Sequence, residues 1–294
     1  MSQLKNELAE KELIKQFRHI KSWLGRVKSK PQWVSNDVIK IPKQGAAPTV
    51  LINNNIYPII SNEREDDHIV LALNKYDTTN TVVSDDELET LPYEKVNDVQ
   101  VQHREELEDV TAEHALHSIA PPAHSATTPV LETTGATVDG RKRLTTADLI
   151  TYKKKLDDLK VPKKGRMLIL CSDHVSDLLL EDKAFVTQYH NQTDGLISAN
   201  YMGFEVYEDL SEVTYKDVAG TLTREAYGAI ATGKTASIVA YVGNLAKATG
   251  SVKRYMRSAE QDPENRKNTI GFRLYAICVA IKNQGMGAIV SAAA

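Results

Sequence analysis

The chain has 294 residues, 41% apolar and 26% charged, enough for one large domain or two ordinary ones and too core-forming for a disordered chain. A net charge of −3 argues against a dedicated DNA-binding domain, and no run approaches the roughly 20 apolar residues of a membrane span. The charged N-terminus lacks an apolar secretory core, so no signal peptide is expected.

Residues 2–28 predict an amphipathic helix, with Leu4, Leu8, Leu13, Phe17, Ile20, Leu24 and Val27 in helical period on a Lys/Glu background. Its polar face mixes both signs of charge, which favours docking on protein over a membrane surface. Pro31 stops it, and residues 31–47 read as a linker enclosing the short run Val38-Ile39-Lys40-Ile41. Residues 47–83 predict an extended, hairpin-like arm. Its short β-branched runs, Thr49–Ile52, Ile56–Ile60 and His68–Leu73, are broken by three asparagines and by the acidic tip Glu63-Arg64-Glu65-Asp66-Asp67. Ser84-Asp85-Asp86-Glu87 has the form of a capping box and opens a long predicted helix to about Ser118. Pro92 marks a kink or the first turn of its main segment. Along it Val96, Val99, His103, Leu107, Val110 and His114 share one stripe. An arm feeding a long helix cannot bury itself alone, so a neighbouring copy is expected to cover it.

Residues 119–144, rich in Pro, Thr and Gly, read as a connector with one or two strands. A helix opens at Thr145 or Thr146 and ends before Pro162. A buried-type strand follows at Arg166–Cys171, then a helix capped by Ser172 or Asp173. Strands are predicted at Gly203–Glu208, Ala229–Thr232, Ser237–Val242, Ser251–Arg257 and Thr269–Lys282. The class is α+β, arm and long helix first and a compact body after. The two cysteines, Cys171 and Cys278, sit in apolar runs and read as buried, reduced thiols.

Charge is unevenly spread. Residues 61–110 hold 15 acidic and 4 basic residues, whereas residues 1–45, 141–166 and 247–282 carry net charges of +6, +7 and +5. An acidic arm on a chain with basic segments suits contact between copies, where charge fixes partner and register.

Gly228–Thr235 fits the G-x-x-x-x-G-K-[ST] phosphate-loop pattern letter for letter. A working loop follows a buried strand and opens a helix. Here a polar, helix-leaning stretch, Thr221–Tyr227, precedes it and a strand-like one, Ser237–Val242, follows. A strand–turn–strand is therefore expected, with nucleotide binding the alternative. His103, His114 and His117 lie on the helix stripe without a zinc-binding pattern, so packing or hydrogen bonding is expected of them. No catalytic signature is visible, and a structural role is expected.

In this order of parts the chain resembles the major capsid protein of tailed bacteriophages, the Hong Kong 97-type family. The resemblance is carried by Leu156–Leu170, which is similar to the family's helix, x-V-P, G-R, apolar-strand passage. Gly203-Phe204-Glu205-Val206-Tyr207 adds a G-F-x-V-Y strand. It implies an N-terminal arm at 1–46, an extended loop at 47–83, a peripheral domain with spine helix at 84–164, an axial domain at 165–268, and a returning C-terminal strand and tail at 269–294. The tip Glu63–Asp67 would then touch a neighbouring subunit. The implied protein is a virion component assembled in the host cytoplasm. It forms hexamers and pentamers around packaged double-stranded DNA, without cofactor, metal, catalysis or membrane. Its implied partners are further copies, a portal protein and possible scaffold or decoration proteins. An encapsulin-like cargo shell is the alternative within the same fold. Some relatives cross-link through a lysine on the extended loop; Ser61–His68 has none, so that chemistry is not carried over.

Overall fold

The computed structural model describes residues 22–31, 34–35, 38–43, 67–84, 95–191, 196–230, 232–262 and 264–293, with isolated positions between 50 and 58. The first described element is a single turn, α1 (Trp23–Arg26), followed by β1 (Val34–Ser35) and β2 (Val38–Lys43). Most of the predicted helix at 2–28 and of the arm at 47–66 lies outside the described residues, as do residues 85–94, which hold most of the capping box.

The run at Val38–Ile41, read as part of a linker, forms β2. It pairs antiparallel with β3 (Asp67–Ala72), Lys43 opposite Asp67 and Val38 opposite Ala72. The partner of the 67–72 strand is thus a stretch before the arm, not one within it. Next come β4 (Asn74–Asp77), β5 (Thr81–Ser84) and the long helix α2 (Lys95–Ile119). Ser84 closes β5, opposite Lys267.

The connector carries β6 (Val130–Glu132), β7 (Thr137–Val138) and β8 (Arg141–Lys142), then α3 (Thr146–Asp158). Thr145 and Asp148 form a reciprocal capping box on α3. β9 (Arg166–Leu170) is buried throughout, which is why it reads as a continuous apolar run. Cys171, not Ser172 or Asp173, takes the cap position of α4 (Ser172–Glu181), without a side-chain bond. After α5 (Lys183–His190) the body continues with β10 (Leu196–Tyr201), β11 (Phe204–Glu208), β12 (Val213–Val218), β13 (Thr221–Arg224), β14 (Lys234–Tyr241), β15 (Leu245–Arg257), β16 (Lys267–Ala280) and β17 (Gly287–Val290). Thr221–Arg224, read as helix-leaning, is a strand, while Ala229, Ile230 and Thr232 of the predicted strand at Ala229–Thr232 are exposed and lie in no strand.

Two sheets organise the molecule. The larger runs β10-β11-β9-β14-β12-β13, with β17 on the other side of β14 and β6 parallel to β17. Alternation along β9 separates two cores. Leu168 and Leu170 face α3, α4 and α5 through Leu149, Tyr152, Leu156, Val175, Leu178 and Phe185. Met167 and Ile169 face Trp23, Leu24, Ala115, Leu116 and Ile119 on α1 and α2. The smaller sheet is a long hairpin, β15 with β16, carrying β4 and β5 on the far edge of β16. One of its faces packs on α2 through Val99, Leu107, Val252, Ile270, Phe272 and Leu274.

Arg166 ties these layers together. It is 2% exposed, and its guanidinium donates to Asp157 (2.7 Å), to the Val161 carbonyl (2.6 Å) and to the Pro162 carbonyl (3.1 Å). The V-P and G-R letters of that passage therefore mark a physical joint between the end of α3 and the start of β9.

Candidate assembly surfaces and the 228–235 loop

The helix stripe is covered from within the chain. Val99, His103 and Leu107 are buried, while Val96, Val110 and His114 are half-buried. The His103 ring tilts against Phe272 at 5.6 Å between centroids. Nδ1 of His114 shares a 2.6 Å hydrogen bond with the Tyr76 hydroxyl, and Nε2 of His117 lies 2.8 Å from the Glu225 carbonyl. Burial holds all three histidines below the ordinary imidazole range. Each is therefore a neutral packing group. Among the described residues no three His, Cys, Asp or Glu side chains stand together as a metal site would require.

The C-terminal end of α2 is closed by Arg224, whose guanidinium donates to the His117 and Ala120 carbonyls. A cation on unsatisfied last-turn carbonyls is the favourable arrangement at a helix C-terminus.

Of the predicted tip, Glu63, Arg64, Glu65 and Asp66 lie outside the described residues, and Asp67 opens β3 opposite Lys43. The segment at 22–31 is docked on the body. The Trp23 indole N–H donates to Asp209 (2.6 Å), and Arg26 makes a two-pronged pair with Glu205 (2.9 Å for each bond). Beyond them the main chain joins the edge of β15: the Lys30 N–H donates to the Lys247 carbonyl and the Lys247 N–H to the Lys28 carbonyl. Between this segment, α2 and β15–β16 lies a cavity of about 630 Å³, lined by Leu24, Val27, Tyr76, Thr111, His114 and Lys247 among others.

At Gly228–Thr235 the phosphate-loop pattern meets a different geometry. The loop joins β13 to β14, and no helix follows it. The backbone N–H groups of Thr232 and Gly233, which a phosphate would need, donate to the Glu225 carboxylate at 3.0–3.2 Å. The Thr214 and Thr232 hydroxyls donate to it as well. Together, led by the Thr214 hydroxyl, these bonds pull Glu225 down to about 2. The Lys234 ammonium is spent on the Gly140 carbonyl, 3.1 Å away. Gly233 is required because an added Cβ would stand 2.1 Å from the Tyr215 carbonyl oxygen. The anion cradle is thus filled by the chain's own carboxylate. Sequence reasoning missed Glu225, because nothing local marks it as the ligand of a loop seven residues on.

A second buried polar centre lies under α4. His174, 0% exposed, bonds Ser237 through Nδ1 (2.6 Å) and Ser291 through Nε2 (3.0 Å). Burial pushes it down to about 4. Asp177 beside it accepts from Arg141 (2.6 and 3.0 Å) and from the Leu144 N–H. Both cysteines are buried and unpaired, with burial pushing Cys278 up to about 12 and Cys171 upward as well. Buried thiols of this kind are inert. His174 thus joins α4 to β14 and to the segment after β17, whereas Cys278, on β16, lines the cavity beside α2.

No family model matches the chain, and no curated protein matches it. Solved structures do. A chain of the capsid of cyanophage P-SCSP1u aligns over 92% of this chain and 86% of its own, at 14% identity and a TM-score of 0.61. The capsid of Ralstonia phage GP4 aligns over 91% and 86%, at 8% identity and a TM-score of 0.62. The capsid of an empty GTA particle aligns over 93% and 90%, at 9% identity and a TM-score of 0.61. The architecture is therefore a phage capsid fold, as the resemblance carried by Leu156–Leu170 and Gly203–Tyr207 implied, although identity to these structures is only 8–14%.

Proposed function

We propose that this chain is the major structural protein of a tailed-phage head, self-assembling into hexameric and pentameric capsomers of an icosahedral shell around double-stranded DNA. The observation that carries this is the extent of the likeness: about nine-tenths of the chain follows the capsid chains from end to end, rather than one shared motif. A shell protein needs no catalytic centre, and Arg166, His174 and Glu225 here are consumed in joints between elements of the fold. The near-neutral balance, −3 in all, suits a wall along which DNA must slide.

In this reading residues 1–46 are an arm, of which 22–31 docks on its own subunit. Residues 47–83 are an extended loop whose acidic tip, Glu63–Asp67, reaches a neighbour. Residues 84–164 are a peripheral domain on the spine helix α2, with its stripe from Val96 to His114 against the β15–β16 hairpin. Residues 165–268 are an axial domain, and 269–294 return toward the periphery. Portal, scaffold and decoration proteins would be further partners in the virion, and no described helix is long and apolar enough to cross a membrane. The test is to express the chain and determine whether it forms capsomers or closed shells by sedimentation and electron microscopy. A monomer under every assembly condition would refute the reading.

A further inference from the structure

Helix α2 crosses two cores, and between them it stands off the hairpin on which it otherwise packs. Toward its start, Val99 and Leu107 meet Val252, Phe272 and Leu274. Toward its end, Ala115, Leu116 and Ile119 join Trp23, Leu24 and Leu245. The helix positions that face the gap, Thr111, His114, Ala115 and Ser118, follow the helical spacing of three and four. Opposed residues of an antiparallel pair share a face, so Lys247 with Cys278 and Thr249 with Ala276 form the floor. Most of these side chains are small. The pairing of β15 with β16 also shifts register between Thr249 and Val252, the kind of irregularity that re-aims side chains beside a site. Helix and sheet accordingly fail to meet, and the buried Thr111 hydroxyl finds no partner among the described residues. What remains is the cavity of about 630 Å³, walled on its third side by Leu24 and Val27. Small-molecule sites typically hold about 300–1,000 Å³. Thr249, at its rim, is exposed.

The lining carries one charge. Lys247 is half-buried there, and no aspartate, glutamate or arginine stands among the described lining residues. Its ammonium makes one hydrogen bond among the described residues, to the Leu24 carbonyl (2.6 Å), which leaves two of its three N–H donors unspent. Burial, with no carboxylate to offset it, holds Lys247 below the usual lysine range. His114 adds no second charge: its Nδ1 is engaged by the Tyr76 hydroxyl, and burial keeps the ring neutral. The other walls are largely apolar, with Leu24, Val27, Ala115, Val252, Ala276 and Ile277. A half-desolvated cation favours an anion. One ammonium balances one negative charge, whereas a phosphate dianion would bring in a second that nothing in the lining offsets. The apolar walls in turn require an apolar body behind the charged head.

We propose that this cavity binds a small amphipathic carboxylate, its head on Lys247 and its alkyl body against Leu24, Val27 and α2. The site is separate from the assembly surfaces and does not depend on the shell reading. A ligand bound there touches the 22–31 segment, α2 and the β15–β16 hairpin together, and so holds the segment down.

The test is isothermal titration of the full-length chain with decanoate, with decanol and acetate as comparison probes. Decanoate is expected to bind at least tenfold more tightly than either. Lys247→Met keeps the stem and removes the charge; it should weaken decanoate at least tenfold and leave decanol within about twofold. Lys247→Arg should keep decanoate binding, and Ala276→Leu, which fills the floor, should weaken decanoate and decanol alike. Decanoate should also slow amide exchange at Lys30 and Lys247, which bond across the segment's junction. A parent that does not bind decanoate would overturn the proposal, whatever the variants do. Acetate binding as tightly would reduce the site to a plain anion contact, and decanol binding as tightly would remove the role of Lys247; either result overturns it. Decanoate binding left unchanged by both Lys247→Met and Ala276→Leu would place the ligand elsewhere on the molecule and overturn it as well.

Discussion

Replacing Trp23 with alanine isolates the docking of the segment at 22–31. Trp23 is 1% exposed, packed in the core that also contains Ile169, Ala115 and Ile238, and its indole donates to Asp209. Truncating a buried aromatic to alanine costs about 3–5 kcal/mol. Asp209 keeps a second donor, the Ser211 N–H, so the lost indole bond adds only about 1 kcal/mol. Against this, Leu24, Val27, the Arg26–Glu205 pair and the Lys28–Lys30 pairing with Lys247 remain. The segment should therefore open locally while the large sheet stays folded. A loss of about 4 kcal/mol raises the open population by roughly a thousandfold. Amide hydrogen exchange reads this directly: the Lys30 and Lys247 N–H groups, which bond across the junction, should lose protection, and the β9 amides should keep theirs. Equal loss in β9 would mean the segment and sheet form one cooperative unit. No loss at Lys30 would mean that the Trp23 contact does not hold the segment down.

Other outcomes follow from single sites. Gly287→Ala would place a Cβ 1.6 Å from the Tyr152 hydroxyl and 2.5 Å from the Pro129 carbonyl oxygen, breaking the 2.8 Å bond between them. Overpacking of this kind costs about 1–3 kcal/mol or more and should show as a lower denaturant midpoint. His174 sits below its unfolded value, so its contribution is whole above about pH 6.5 and declines as pH falls toward about 4, where the folded form takes the proton. His174→Gln should flatten the stability profile in that window if the pH slope arises there. Glu225 is likewise depressed, so its contribution is present above about pH 4.3 and lost as pH falls toward 2, a slope that Glu225→Gln should remove. Lys234→Ala should leave isothermal titration with ATP as blank as the parent's; a binding isotherm in the parent would contradict the filled cradle at Glu225.

The strongly patterned parts of the fold were legible in the sequence. The apolar run of β9, the capped α3 and the alternation of β16 each announced themselves, because burial on one or both faces imposes a period. Three of the missed strands share a cause. β10, β12 and β13 belong to tight hairpins closed by Met202-Gly203 and Ala219-Gly220, with positive φ at both residues of each pair. Neither pair carries the Asn-Gly or Asp-Gly letters that signal such a turn. β2 was hidden differently: its partner, β3, lies across the whole arm, and strand pairing over that separation leaves no local signature. The stripe on α2 was visible as a period, but its cover by the chain's own β15–β16 hairpin was not. The phosphate-loop pattern misled in letters and was corrected by context, since a β-branched strand rather than a helix follows Lys234.

The most direct test of the shell reading is electron microscopy, with size-exclusion chromatography, of the purified chain beside a variant whose Ser61–Asp67 segment is replaced by a short Gly-Ser turn. Capsomers or closed shells from the intact chain, lost in the variant, are the expected result. A stable monomer from both would contradict assembly through the arm and remove the physical basis of the shell reading.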